Sequence, residues 1–365
     1  MTEKVIIITG AAGFIGSSLV VKLSGSHYVI ALDQRKPSQD LITAAANVKW
    51  EDLDIADAAR VISTFKKIKE TFGRIDFVIH LAAYYHFGDD WRAEYERTNI
   101  KGTENIIRAA ITTGIQRIIF SSSVAALEPP QPGEALHETS FASDYIPYAR
   151  SKSIGEDLLR KASSEIPCTV LRFAGVFSDW CELPPLYSLI RLWSLPRLIS
   201  RMIPGKGTSG IPYIHIFDAV KIIEQCIHVN SSLGPYEIFM ASPNGAVSHN
   251  DIYMMVQRSL DRLISARPIH TSPGLVMAGM YIKMILAFLQ NKEPYEQPWM
   301  LKFIDRPWVV DSTITQERLE WKCSPDLNIL KTLPVILENY RKNKRIWIER
   351  NVQRNAGKYS YHTGH

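Results

Sequence analysis

Three glycines set just after an apolar run constrain this chain more than any other feature. Residues 4–16 read KVIIITGAAGFIG. Residues 5–8 are apolar and β-branched throughout, the composition of a strand buried on both faces. Gly10, Gly13 and Gly16 follow at three-residue spacing, and Phe14, Ile15, Leu19 and Val20 then begin an apolar pattern of helical period. The order is strand, tight turn, helix. One glycine permits the bend, one lets a pyrophosphate approach the backbone, and one lets helix and strand pack closely. The helix start offers N–H groups and a partial positive charge to phosphate. Such contacts would fall on Gly10, Ala12, Gly13, Phe14, Ile15 and Gly16. A glycine-rich turn that binds nothing is the alternative reading of these residues alone.

The chain of 365 residues is long enough for two cores. Its 46% hydrophobic and 22% charged residues are ordinary for a globular protein, and a net charge of +5 does not argue for a nucleic-acid partner. Cys168, Cys181, Cys226 and Cys323 lie far apart, as expected of reduced thiols in a cytoplasmic protein rather than a disulfide framework. No His/Cys cluster has ligand spacing, so no metal site is expected. A first strand beginning by Lys4 leaves no room for a signal peptide, which is a further expectation.

Downstream, strand-like runs at residues 28–32, 47–50, 75–80 and 116–121 alternate with helical patterns at 56–71 and 91–114. That alternation predicts a doubly wound parallel sheet with ligands at the carboxyl ends of its strands. Four features fall there. Asp33, after the second strand, suits ribose hydroxyls and would repel an additional phosphate, although Arg35 and Lys36 follow it; an ordinary turn acid is the alternative. Asp54, beside Ile55, is in reach of an adenine edge. Leu81, Ala82 and Ala83 are small enough, after the fourth strand, for a flat ligand to pass the backbone. Ser121, Ser122 and Ser123 close the fifth strand. His80 reads as a packed strand-end histidine.

Tyr148 and Lys152 open a helix that runs to about residue 162, and four-residue spacing puts them on one face. A neighbouring ammonium favours phenolate over phenol, which suits proton transfer. Taken alone the pair is a common coincidence; after a strand ending in three serines it carries more weight.

With these residues in place, the chain resembles the extended short-chain dehydrogenase/reductase family, also called the NAD-dependent epimerase/dehydratase family. The matching residues are Gly10 to Gly16, Asp33, Asp54, Leu81 to Ala83, Asn99 with Gly102 and Thr103, Ser121 to Ser123, and Tyr148 with Lys152. Leu171-Arg172-Phe173 and Tyr213 to Asp218 look like two later landmarks. The likeness covers the first 230 residues well and the rest loosely. It implies a Rossmann domain over residues 1–173, a smaller and mostly helical substrate region over 174–345 interleaved with the core, and a basic tail over 346–365. It implies NAD in preference to NADP as cofactor. Tyr148 would be the general acid/base, Lys152 would hold the nicotinamide ribose, and Ser123 would bond the same substrate oxygen. Many relatives dimerise through the helices at 92–114 and 147–162, so a homodimer is the default expectation.

The departures from the family pattern bear on the reaction. Ser123-Val124-Ala125 stands where nucleotide-sugar dehydratases place Thr-Asp-Glu, which argues against that route. Gly210-Ile211-Pro212 stands where epimerases place an arginine for the diphosphate, and Ala174 where they often place asparagine. Arg191, Arg197 or Arg201 are possible substitutes for that cation. The residues gained are apolar, closer to the hydroxysteroid dehydrogenase-like branch. The expectation is therefore interconversion of a secondary alcohol and a ketone on a hydrophobic small molecule such as a sterol, lipid or polyketide. A nucleotide-sugar epimerase is the alternative. A non-catalytic NAD sensor is an alternative of another class, but would need none of Ser123, Tyr148 and Lys152.

Three segments stay open. Residues 179–207 are rich in Leu, Ile, Trp and Pro, fitting a helical hairpin packed on its own domain, a lid or wall for a greasy substrate, or a surface that touches membrane. Residues 273–290 are apolar except for Lys283, fitting a buried or interfacial helix and falling short of a membrane span. Residues 341–358 carry seven basic residues against one acid, Glu349, fitting a solvated tail or terminal helix, with an acidic membrane surface as alternative partner.

Overall fold

The computed structural model describes residues 3–196, 198–262, 267–289 and 296–355. Arg197, the end of the 273–290 segment at Gln290, and the tail beyond residue 355 lie outside the described residues.

Seven parallel strands form the central sheet: β1 (Val5–Thr9), β2 (Tyr28–Asp33), β3 (Lys49–Asp52), β4 (Phe77–His80), β5 (Arg117–Ser123), β6 (Cys168–Phe173) and β7 (Tyr236–Ala241), in the order β7-β6-β5-β4-β1-β2-β3. Helices cover both faces. Phe14–Ser24 and Ile216–His228 pack together on one side, and Ala58–Phe72, Gly102–Thr113 and Pro147–Ala162 on the other. Full burial of every residue in β1 follows from this, since both faces are roofed. The order reverses between β1 and β4, where parallel sheets open a crevice for ligands.

The expected strands and helices appear with small shifts in their ends. The helical stretch at 91–114 is two elements: a π-helix over Tyr95–Lys101, then an α-helix over Gly102–Thr113. Asn99, within the π-helix, fastens it to the loop after β4. Asn99 Oδ1 accepts from the Tyr84 backbone N–H at 2.7 Å, and its Nδ2 donates to the Tyr84 carbonyl at 3.0 Å and to Ser151 Oγ at 2.9 Å.

Within residues 174–345, the helix Ile216–His228 and strand β7 return to the sheet. Much of the remainder builds a separate apolar cluster around Phe177, Trp193, Tyr253, Ile336 and Trp347, while Leu319 and Trp321 pack with the sheet. The basic C-terminal segment contributes to that cluster as a helix, Lys344–Asn355, whose Trp347 is fully buried. Arg350 pairs with the buried Glu182 at 2.6 Å, and Asn351 accepts from the Glu182 N–H at 2.7 Å. The two helices expected at a dimer interface lie side by side, with Glu104, Arg108, Arg150, Arg160 and Lys161 exposed.

Candidate active site

The glycine turn owes its shape to backbone crowding. Gly10 has φ +69°, and a Cβ there would sit 2.7 Å from the Ala82 nitrogen, so the turn lies directly on the chain leaving β4. A Cβ on Gly16 would sit 2.1 Å from the Gly10 carbonyl oxygen. Gly13 precedes the helix with no side chain capping it, so the first turn, Phe14, Ile15 and Gly16, faces open space. Asp33 braces this turn: its Oδ2 accepts from Ala12 N–H at 3.0 Å, and its Oδ1 from Arg35 N–H at 2.9 Å. The Arg35 guanidinium pairs with the same carboxylate at 3.4 Å and lies 3.3 Å from where a Gly13 Cβ would be.

A buried chain of hydrogen bonds sets the ends of β1 and β4. Thr103 Oγ1 donates to the Asn99 carbonyl, so it accepts from His80 Nε2–H at 3.1 Å. His80 Nδ1 then accepts from Thr9 Oγ1 at 2.7 Å, and Thr9 accepts from the Ala82 N–H at 3.3 Å. Burial holds His80 neutral, its pKa pushed down to about 3, in keeping with a packing role.

Pro147 starts the helix that carries Tyr148 and Lys152, both on its buried face. Lys152 Nζ donates to the Ser121 carbonyl at 2.7 Å and lies over the Phe120 ring at 5.0 Å. Burial pushes its pKa down to about 8, opposed by the charge of Glu156 one turn further on. Glu156 accepts from Ser122 Oγ at 2.5 Å and makes a buried ion pair with Arg172 at 2.8 Å. Arg172 also donates to the Glu138 carbonyl at 2.8 Å. This network locks helix to sheet beneath the site. Ser123 Oγ accepts from the Ala125 N–H at 3.1 Å at the end of β5.

One cavity of about 940 Å³ gathers most of the residues singled out in the sequence. Gly10, Gly13, Phe14, Ile15, Gly16, Asp33, Ile55, Leu81, Ala82, Ala83, Ser121, Ser123, Tyr148 and Lys152 line it. Ala12, Asp54 and Asn99 do not, and each has another partner. Ala12 is tied to Asp33 and Asn99 to Tyr84, as described. Asp54 accepts from Ala56 N–H at 2.9 Å and from Gln34 Nε2 at 2.8 Å and makes an ion pair with Arg97. Leu53 and Ile55, on either side of it, face the cavity instead.

The other half of the cavity is aromatic, and these residues were missed in the sequence. Tyr85 meets the Tyr148 ring edge-on at 5.0 Å, and Phe87 lies 5.9 Å from it. Phe87 in turn touches Trp299 at 5.6 Å, and Tyr145 lies 5.8 Å from Trp308. The dense aromatics in YYHF and PWMLKFIDRPW were the available signal. Arg191 and Arg201 do not reach this chamber: Arg191 stacks on Tyr187, and Arg201 donates to the Arg267 carbonyl. Arg306 does line the cavity, together with Lys152, Arg35 and Arg97.

The glycine cradle and helix start at the sheet's switch point lie in one cavity with the buried Tyr148 and Lys152 and the half-buried Ser123. A family model, the NAD dependent epimerase/dehydratase family, matches residues 6–240, and the chain belongs to that family. Among its relatives, mouse short-chain dehydrogenase/reductase family 42E member 1 is 25% identical over 240 residues, covering 60% of this chain and 57% of that protein. The 3 beta-hydroxysteroid dehydrogenase/Delta 5-->4-isomerase of vaccinia virus (strain Copenhagen) is 28% identical over 196 residues, covering 49% of this chain and 54% of that protein. The chain thus spans little more than half the length of these relatives. Among solved structures, UDP-glucose 4-epimerase of Thermotoga maritima, with UDP-glucose, superposes with a TM-score of 0.69 at 21% identity, covering 93% of this chain and 99% of that one, a likeness of fold.

Proposed function

We propose that this protein is an NAD-dependent oxidoreductase that interconverts a secondary alcohol and a ketone on a hydrophobic small molecule. The observation that carries this reading is the chamber beside Tyr148, walled by Tyr85, Phe87, Tyr145, Trp299, Phe303 and Trp308. Flat apolar rings pack well against such walls, and burying them there removes apolar area from water.

The residues of the glycine turn fit the cofactor. Gly13, Phe14, Ile15 and Gly16 line the cavity, the uncapped helix start favours the charge of phosphates, and Asp33 suits an unphosphorylated ribose. When bound, NAD supplies acceptance and return of hydride. The chain's own part is positioning and proton transfer. Tyr148 Oη takes the proton from the substrate hydroxyl in oxidation and returns it in reduction. Ser123 Oγ donates a hydrogen bond to the same oxygen, and Lys152, fixed by the Ser121 carbonyl, holds the ribose and keeps positive charge next to Tyr148.

One observation favours a second reading, a nucleotide-sugar epimerase: Arg306 faces the cavity and offers the charge that Gly210-Ile211-Pro212 lacks. The likeness to a UDP-glucose 4-epimerase fold is compatible with either.

Substitution of Tyr148 by phenylalanine tests the catalytic assignment. Turnover should be abolished while NAD still binds; retained turnover in the purified variant removes Tyr148 from its role.

A further inference from the structure

The helix Pro273–Phe288 has a cavity on one side and open solvent on the other. Val276 and Met280, one turn apart, line the cavity. Leu275, Ile282, Ile285 and Phe288 are 55%, 59%, 61% and 80% exposed. A helix facing water normally carries polar residues outward. This one carries a single charge, Lys283, which pairs with Glu296 at the cavity wall.

A second apolar stretch adjoins it. Leu198 and Ile199 are 68% and 52% exposed, and their turn leads into the strand Met202–Pro204. That strand pairs with Ile269–Thr271, immediately before the helix. The same region is cationic. Residues 198–206 and 258–289 contain Arg201, Lys206, Arg258, Arg262, Arg267 and Lys283, set against Asp261 among them, Glu296 paired with Lys283, and Asp305 on the Lys206 backbone N–H.

We propose that this patch docks on an anionic lipid bilayer, with the helix Pro273–Phe288 lying in the interface. Its outer face enters the acyl boundary, the surrounding arginines and lysines meet lipid headgroups, and its inner face separates the bilayer from the cavity. The described helix is too short to cross: 16 residues reach roughly 24 Å against a hydrocarbon core of about 30 Å. None of the described helices is long and apolar enough to span. This inference goes beyond the reaction and does not depend on which substrate is used.

Flotation of the full chain with phosphatidylcholine vesicles, with and without phosphatidylserine, tests it. The protein should float with the anionic vesicles, less with the neutral ones, and less again at high salt. The double substitution Ile282→Asp, Ile285→Asp should cut the bound fraction by more than about tenfold, with unfolding midpoint and NAD affinity unchanged. Failure of the native protein to float, or equal flotation of the variant, overturns the proposal. So does a native dimer that the double substitution dissociates without any flotation, since a second copy then covers the patch. Flotation without turnover of any lipid alcohol retracts the proposed reaction and leaves docking in place; turnover without flotation does the converse.

Discussion

Lys152 Nζ lies 2.7 Å from the Ser121 carbonyl oxygen, so the cation one helical turn from Tyr148 is anchored to the end of β5. The serine run and the Tyr/Lys pair, separate in sequence, are one unit. Their shared burial sets up the first prediction.

Unfolded lysine titrates near 10.5, while burial lowers Lys152 to about 8 in the folded protein. Near neutral pH both states hold the proton, and the folded state bears the cost of a buried cation. Between the two values the unfolded state binds more protons, so this residue's contribution to stability rises with pH. Lys152→Met should therefore be more stable than the native protein at neutral pH, by on the order of 2–3 kcal/mol. The gap should close toward pH 10.5, the unfolded value. Urea unfolding across that range measures it, and a gap that does not change with pH contradicts the assignment.

Asp33 does two jobs, bracing the Ala12 N–H and pairing with Arg35. The native protein should bind NAD(H) more tightly than NADP(H). Asp33→Ser removes the repulsion toward a ribose phosphate and frees Arg35, so the ratio of affinities should move toward NADP(H) by at least about tenfold. Side-by-side fluorescence titrations decide this. Tighter NADP(H) binding by the native protein means that Arg35 outweighs Asp33.

Gly16 is held against fixed backbone, with a Cβ meeting Gly10 O at 2.1 Å and Ala11 Cα at 2.8 Å. Gly16→Ala should cost about 1–3 kcal/mol and weaken NAD binding, because the turn must shift to admit the methyl group. Thermal unfolding and cofactor titration together read both effects.

Trp347 is fully buried, with ring neighbours Tyr187 at 5.0 Å and Tyr340 at 4.9 Å. Trp347→Ala should destabilise the protein by about 3–5 kcal/mol, measured by urea unfolding. A solvated tail would show almost no change.

What was legible in the sequence was local. Gly10, Gly13, Gly16, Asp33, Ser123, Tyr148 and Lys152 sit at fixed spacings on strands and helices whose period can be counted. The sheet was legible for the same reason, since its strands are continuous apolar runs. The aromatic chamber was not, because residues 84–87 and 296–308 meet only through tertiary packing. The pairing of Asp54 with Arg97 was not legible either, because an ion pair across elements leaves no spacing to read. The basic segment is a terminal helix, one of the two readings its composition allowed, but the burial of Trp347 and Arg350 among its charges was not legible there.

The most direct test of the proposed reaction is a thermal-shift panel on the NAD-saturated protein, comparing sterols and other lipid alcohols with UDP-sugars. A lipid alcohol should raise the melting temperature and UDP-sugars should leave it unchanged, because the chamber beside Tyr148 is walled by aromatic rings. A clear rise with a UDP-sugar and none with any lipid would contradict that claim and give Arg306 the diphosphate.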